Sequence, residues 1–115
     1  MLANNDSYLK MKPIIEAYRY DILFKRGDRS KIPIKLRAIL DFGRLCRDLS
    51  REHEAYKSFR LVLEATATPE VVDETYKDFA HEAFLCLDGL VSCESDEVWE
   101  SSCAFCARYR HLFNH

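Results

Sequence analysis

The sequence predicts an all-α fold, a single compact bundle of five to seven helices. Three observations carry that reading. Only three glycines and three prolines punctuate the 115 residues, and all but Gly43 fall where a helix should start or stop. Apolar residues recur at three-to-four spacing in every long segment, and strand-like alternation never persists for more than a few residues. An apolar content of 48% beside 31% charged residues is ordinary for one globular domain, spanning 1–115 here, which can bury a core without disulfides or metal.

Residues 1–11 read as a lead-in ahead of that core. The first helix is expected to begin with Pro13 near its first turn, where the fixed φ of proline fits, and to run through IIEAYRYDILFKR. Gly27 suits a left-handed C-terminal cap. Ile15, Tyr18 and Ile22, with Ile14 and Leu23 beside them, form the stripe this helix should bury.

After the polar turn GDRSK, the stretch from Pro33 to Ser50 has apolar residues on two faces. Leu36, Ile39, Leu40, Gly43 and Cys46 make one stripe, and Ala38, Phe42, Leu45 and Leu49 make a second, rotated around the axis. One stripe belongs to the core. The other needs a cover, either neighbouring helices packed all round or a partner.

REHEAYKSFRLVLEA repeats Ala55, Phe59, Val62 and Leu63 with helical period and fits a short helix or a pair of turns. TATPEVV restarts the pattern, with Thr68 as N-cap, Pro69 at the first helical position and Glu70 in the first turn. Val72, Tyr76, Phe79, Ala83 and Leu87 then line one face, and Gly89 ends it. Ser95 is the expected N-cap of a last helix carrying Trp99, Cys103, Phe105 and Cys106 towards Phe113.

The 17 basic residues are interleaved with 19 acidic ones, for a net charge of -2. That balance argues against a nucleic-acid partner, whose phosphates demand clustered Lys and Arg. Lys25, Arg26, Arg29 and Lys31 do cluster, around Gly27, as in a solvated turn. No apolar run is long enough for a transmembrane segment, and MLANNDSYLK lacks the basic start and apolar middle of a signal peptide, so an intracellular, cytoplasmic protein is expected. Five cysteines, an odd number, with three of them in apolar helical patterns, suit free thiols in a reducing compartment.

Cys103, Cys106, His111 and His115 spell C-x2-C-x4-H-x3-H and are the candidate zinc ligands. AFCARYRHLF contains no permissive turn residue, however, and on a continuous helix the four would not converge. His53 and His81 each adjoin a glutamate, but neither has the second histidine of a metalloprotease helix. With no glycine-rich phosphate loop and no nucleophile elbow, neither an enzyme nor a cofactor is expected.

IIEAYRYDILFKRG resembles the fourth homology motif of the B-cell lymphoma (Bcl) family of apoptosis regulators. Ile14, Ile15, Tyr18, Leu23, Arg26 and Gly27 fall in that motif's order and spacing. LRAILD is similar to the third homology motif in Leu36, Arg37 and Asp41, with Leu40 in place of the usual small residue. Trp99 fits either the first homology motif, whose glycine and arginine are here Glu100 and Ser101, or the second, whose tryptophan precedes an acidic residue. The short chain looks like the compact versions carried by large DNA viruses.

The resemblance implies a Bcl-like bundle with a hydrophobic groove that sequesters the amphipathic death-motif helix of pro-apoptotic partners, blocking apoptosis, with recruitment to the mitochondrial surface. The groove residues expected are Leu45, Leu49, Phe59, Leu63, Val72 and Phe79. Two rival readings stand beside it: a small helical adaptor or homodimer whose second apolar face is its own interface, and a zinc-stabilised helical interaction protein.

Overall fold

The N-terminal residues are part of the architecture. A computed structural model describes residues 2–90 and 95–113, and its first helix, α1, runs Leu2–Leu23 with Pro13 in its interior. Residues 2–11 of the lead-in expected over 1–11 are therefore corrected to a helical arm. Its anchor is Tyr8, only 2% exposed, whose ring stacks on Phe42 with centroids 5.5 Å apart. The Tyr8 hydroxyl donates to the Glu54 carboxylate and accepts from Lys12 Nζ at 3.0 Å, and the Arg51 guanidinium lies 4.1 Å from the ring centroid. Pro13 is exposed, and so is Leu9, the residue whose carbonyl it leaves without a helical donor.

α1 ends without glycine at its cap. The Arg26 amide bonds back to the Asp21 carbonyl at 2.8 Å while Lys25 takes the left-handed conformation, φ 54°, that was expected of Gly27. Gly27 is left-handed too, at φ 84°, and turns the chain two residues later. A one-turn 3-10 helix at Arg29–Lys31, capped by the Asp28 carboxylate on the Ser30 amide, leads into α2, Ile32–Asp48, with Pro33 in its first turn.

The same device closes α2. Ser50 sits at φ 60° while the Arg51 amide bonds to the Cys46 carbonyl at 2.7 Å. Because a side chain in that conformation is strained, Ser50→Gly should stabilise the protein by about 0.5 to 1 kcal/mol in urea unfolding.

The segment read as a short helix or pair of turns is instead a full helix, α3, Glu52–Thr66, and it is the centre of the molecule. It packs on α1, on α2, and on the two helices that follow it, α4 (Lys77–Gly89) and α5 (Asp96–Phe113). Ala55, Phe59, Val62 and Leu63 are wholly buried, as are Ile15, Leu36, Ile39, Leu40, Phe42, Cys46 and Leu87 from its neighbours. Gly43 permits the closest α2–α3 approach, since a Cβ there would lie 2.6 Å from the Phe59 ring.

Between α3 and α4 the chain departs from expectation. Thr68 does accept from the Glu70 and Val71 amides, both at 3.3 Å, but the result is a turn and not a helix start. Ala67 and Val72 pair as an isolated antiparallel bridge, and the Asp73 amide bonds to the Thr66 carbonyl at 2.8 Å. With those backbone groups satisfied across the loop, the helix begins only after a 3-10 turn at Glu74–Tyr76. Gly89 closes α4 and the Ser95 hydroxyl accepts from Val98 at the start of α5, as expected.

The bundle is therefore all-helical, with five α-helices among the described residues. Its two-faced helix, α2, buries the whole first stripe. Phe42 of the second stripe is covered by Tyr8 of the chain's own N-terminal arm, and Ala38, Leu45 and Leu49 are left half-buried.

Candidate interaction surfaces

The six expected groove residues separate into three groups. Phe59 and Leu63 are fully buried in α3 and belong to the core, a correction that follows from α3 being the central helix. Leu45 and Leu49 are half-buried on the outward stripe of α2. Val72 lies in the α3–α4 loop, and Phe79 lies under the Arg37 guanidinium, 5.2 Å from its centroid, at the start of α4. With Phe59 and Leu63 buried, only four of the six are left partly exposed.

Sequence reading missed Ile34, which is 62% exposed. It precedes Ala38 by one helical turn, so Ile34, Ala38, Leu45 and Leu49 align along one side of α2. The signal was present in the spacing. Ile34 stands in the first turn beside Pro33, one turn ahead of the stripe that begins at Ala38.

A charged rail borders this stripe. Glu82 of α4 accepts from Arg37 Nη1 at 3.1 Å and from Arg44 Nη2 at 2.8 Å, and Asp41 lies 3.3 Å from Arg44 Nη1. The two residues of the LRAILD motif that carry charge, Arg37 and Asp41, thus sit in a network tying α2 to α4. Hydrogen bonds from Arg37 and then Arg44 hold the Glu82 carboxyl down at about 2 against an ordinary 4.5.

Because its folded pKa is depressed, Glu82 stabilises the fold above pH 4.5, and that contribution is lost as pH falls towards 2. With all three side chains about a third exposed or more, solvent screening leaves about 1 kcal/mol. Stability should therefore fall by about 1 kcal/mol more in the parent protein than in Glu82→Gln between neutral pH and about pH 2, measured by urea unfolding.

The residues of the fourth-motif resemblance also divide. Ile15 is wholly buried and Tyr18 half-buried, whereas Ile14 and Leu23 face solvent. Trp99 on α5 is 43% exposed. Its indole is available at the surface.

The three described candidate zinc ligands, Cys103, Cys106 and His111, do not form a metal site. Cys106 is buried and Cys103 partly so on α5, while His111 Nε2 lies 2.6 Å from the Pro69 carbonyl, to which it is bonded. His115 lies outside the described residues, as does Cys93. Among the described residues no group of three metal-ligating side chains forms, and Cys46, Cys86, Cys103 and Cys106 are free thiols. Burial pushes the Cys46 thiol up to about 12 and Cys106 to about 11.

A cleft of about 500 Å³ opens at the end of the bundle where α1 gives way to α2. Lys35, only 8% exposed, forms its inner wall, with Nζ 3.0 Å from Asp21 Oδ2. Gly27 packs against that ammonium so closely that a Cβ would lie 2.8 Å from it. No described helix is long and apolar enough to cross a membrane. No protein-family model, curated protein or solved structure matches the chain.

Proposed function

We propose that this chain is a non-catalytic interaction domain that takes an amphipathic partner helix along the outward side of α2. The observation that carries the reading is the stripe Ile34, Ala38, Leu45 and Leu49, apolar at helical spacing and incompletely covered by the chain's own helices. Arg37 and Arg44 border it, each already paired with Glu82, so an acidic residue of the incoming helix would compete with that carboxylate for them. The resemblance of LRAILD and IIEAYRYDILFKRG to Bcl homology motifs makes the death-motif helices of pro-apoptotic proteins the partner class, and apoptosis regulation, in the blocking sense, the role.

Calorimetric titration of a panel of such peptides tests this. Binding in the micromolar range is expected for at least one, weakened tenfold or more by Leu49→Glu with the far-UV circular dichroism retained. No peptide binding at tens of micromolar overturns the proposal. A concentration-dependent mass in sedimentation that Leu49→Glu abolishes, again without peptide binding, replaces it with a homodimer on the same stripe.

A further inference from the structure

We propose that the cleft at the end of the bundle is a binding site for a small amphipathic anion, with an apolar body and a carboxylate or phosphate head. It is separate from the α2 stripe and does not rest on that reading.

The argument begins with charge. Three carboxylates line the cleft, and each is already engaged. Asp21 pairs with Lys35 at 3.0 Å, Glu64 with Arg60 at 3.2 Å, and Asp73 accepts from the Thr75 amide at 2.9 Å. Three further cations line it, Lys25, Arg26 and Arg29, and none forms an ion pair among the described residues. Arg26 instead donates to the Tyr20 hydroxyl at 3.2 Å. Two of the three acids are ion-paired and these three bases are not, and with Lys35 the lining holds four cations against three carboxylates, so the cleft presents uncompensated positive charge.

Its floor supplies the second element. Ile22, Ile32, Leu36 and Leu61 reach it from three helices, with Tyr76 closing one side. A cleft of this volume suits a ligand of drug-like or smaller size, in which apolar walls bind the body and a few placed polar groups orient it. The cations stand on the turn around Gly27, above that floor. An anion entering body first would therefore leave its head among Lys25, Arg26 and Arg29.

Local backbone geometry holds this arrangement. The left-handed Lys25 and Gly27 fold the turn back over α2, and Gly27 lies against Lys35 Nζ, which Asp21 pins. The basic cluster that sequence alone assigns to a solvated turn is thereby brought to the mouth of the cleft.

Titration calorimetry with decanoate, decyl phosphate and decyltrimethylammonium provides the test. At least one of the two anions should bind saturably below about 1 mM and raise the melting temperature, with the cation at least about tenfold weaker. The tighter of the anions identifies the head group as carboxylate or phosphate. The double variant Arg26→Glu/Arg29→Glu should lose about tenfold or more in anion affinity. Ala65→Trp, which places a bulky ring on an exposed position lining the cleft, should block binding with the helical signal intact, and remains decisive if the charge-reversed protein fails to fold. Equal binding of the cation, no saturable binding of either anion, or unchanged affinity in a folded variant of either kind overturns the proposal.

Discussion

Gly43→Val is expected to destabilise the protein by about 3 kcal/mol, read as a lowered urea midpoint with an unchanged slope. α2 and α3 meet so closely that a Cβ at Gly43 would lie 2.6 Å from Cε1 and 2.9 Å from Cδ1 of Phe59, and 3.1 Å from Ser58 Cβ. Phe59 is wholly buried in the central helix and has no free volume into which to retreat. Either its ring leaves its rotamer or the helices move apart, and the second course opens gaps along the main seam of the core. Gly43→Ala separates steric cost from helix preference, because alanine is favoured over glycine in a helix by about 1 kcal/mol. A net loss of about 1 to 2 kcal/mol is expected despite that gain. A gain in stability for alanine would show that α2 and α3 are not in contact at this position.

Tyr8→Ala is expected to cost about 3 kcal/mol, as for a large aromatic removed from a core. The residue is 2% exposed, stacks on Phe42 and lies under Arg51. Removing it also uncovers Phe42, the one fully buried member of the second stripe of α2. Tyr8→Phe should cost only about 1 kcal/mol, because Glu54 loses a donor but keeps Lys12 at 3.6 Å and Arg51 at 3.7 Å as charge partners. Chemical denaturation of both variants measures this pair of numbers. Two neutral substitutions would return residues 2–11 to the status of a lead-in.

This arm bears directly on the proposed function. An apolar surplus on α2 invites a partner, and the chain itself supplies part of one through Tyr8. What remains for an incoming helix is the narrower stripe from Ile34 to Leu49, flanked by the Arg37, Glu82 and Arg44 rail. The end cleft is a different surface with a different chemistry, mixed and cationic where the stripe is apolar. The strength of their salt dependence should distinguish them, since screening weakens an anion held by surface cations far more than an apolar helix contact.

Local signals located the elements where periodicity and caps agreed. The period of Val72, Tyr76, Phe79, Ala83 and Leu87 found α4, Gly89 marked its end, and Ser95 marked the start of α5. They misjudged α1, because Pro13 reads as a helix start unless a buried anchor lies upstream. They misjudged the entry to α4 as well, because the Thr68 and Pro69 pattern could not reveal that Ala67 would pair with Val72 across the loop. Among the groove candidates, Phe59 and Leu63 look the same in sequence as Leu45 and Leu49, and only their place on the central helix separates them.

By itself the sequence determined an all-helical chain, free thiols at the four described cysteines and a second helix too apolar for one contact face. Those follow from spacing and residue type, which act over one or two turns. Tertiary structure alone decided that α3 is the centre, that the N-terminal arm covers Phe42, and that the basic turn at Gly27 borders a cleft of mixed polar and apolar lining. Each of these depends on which faces meet across long separations in the chain, and helical periodicity specifies a face without specifying what it packs against.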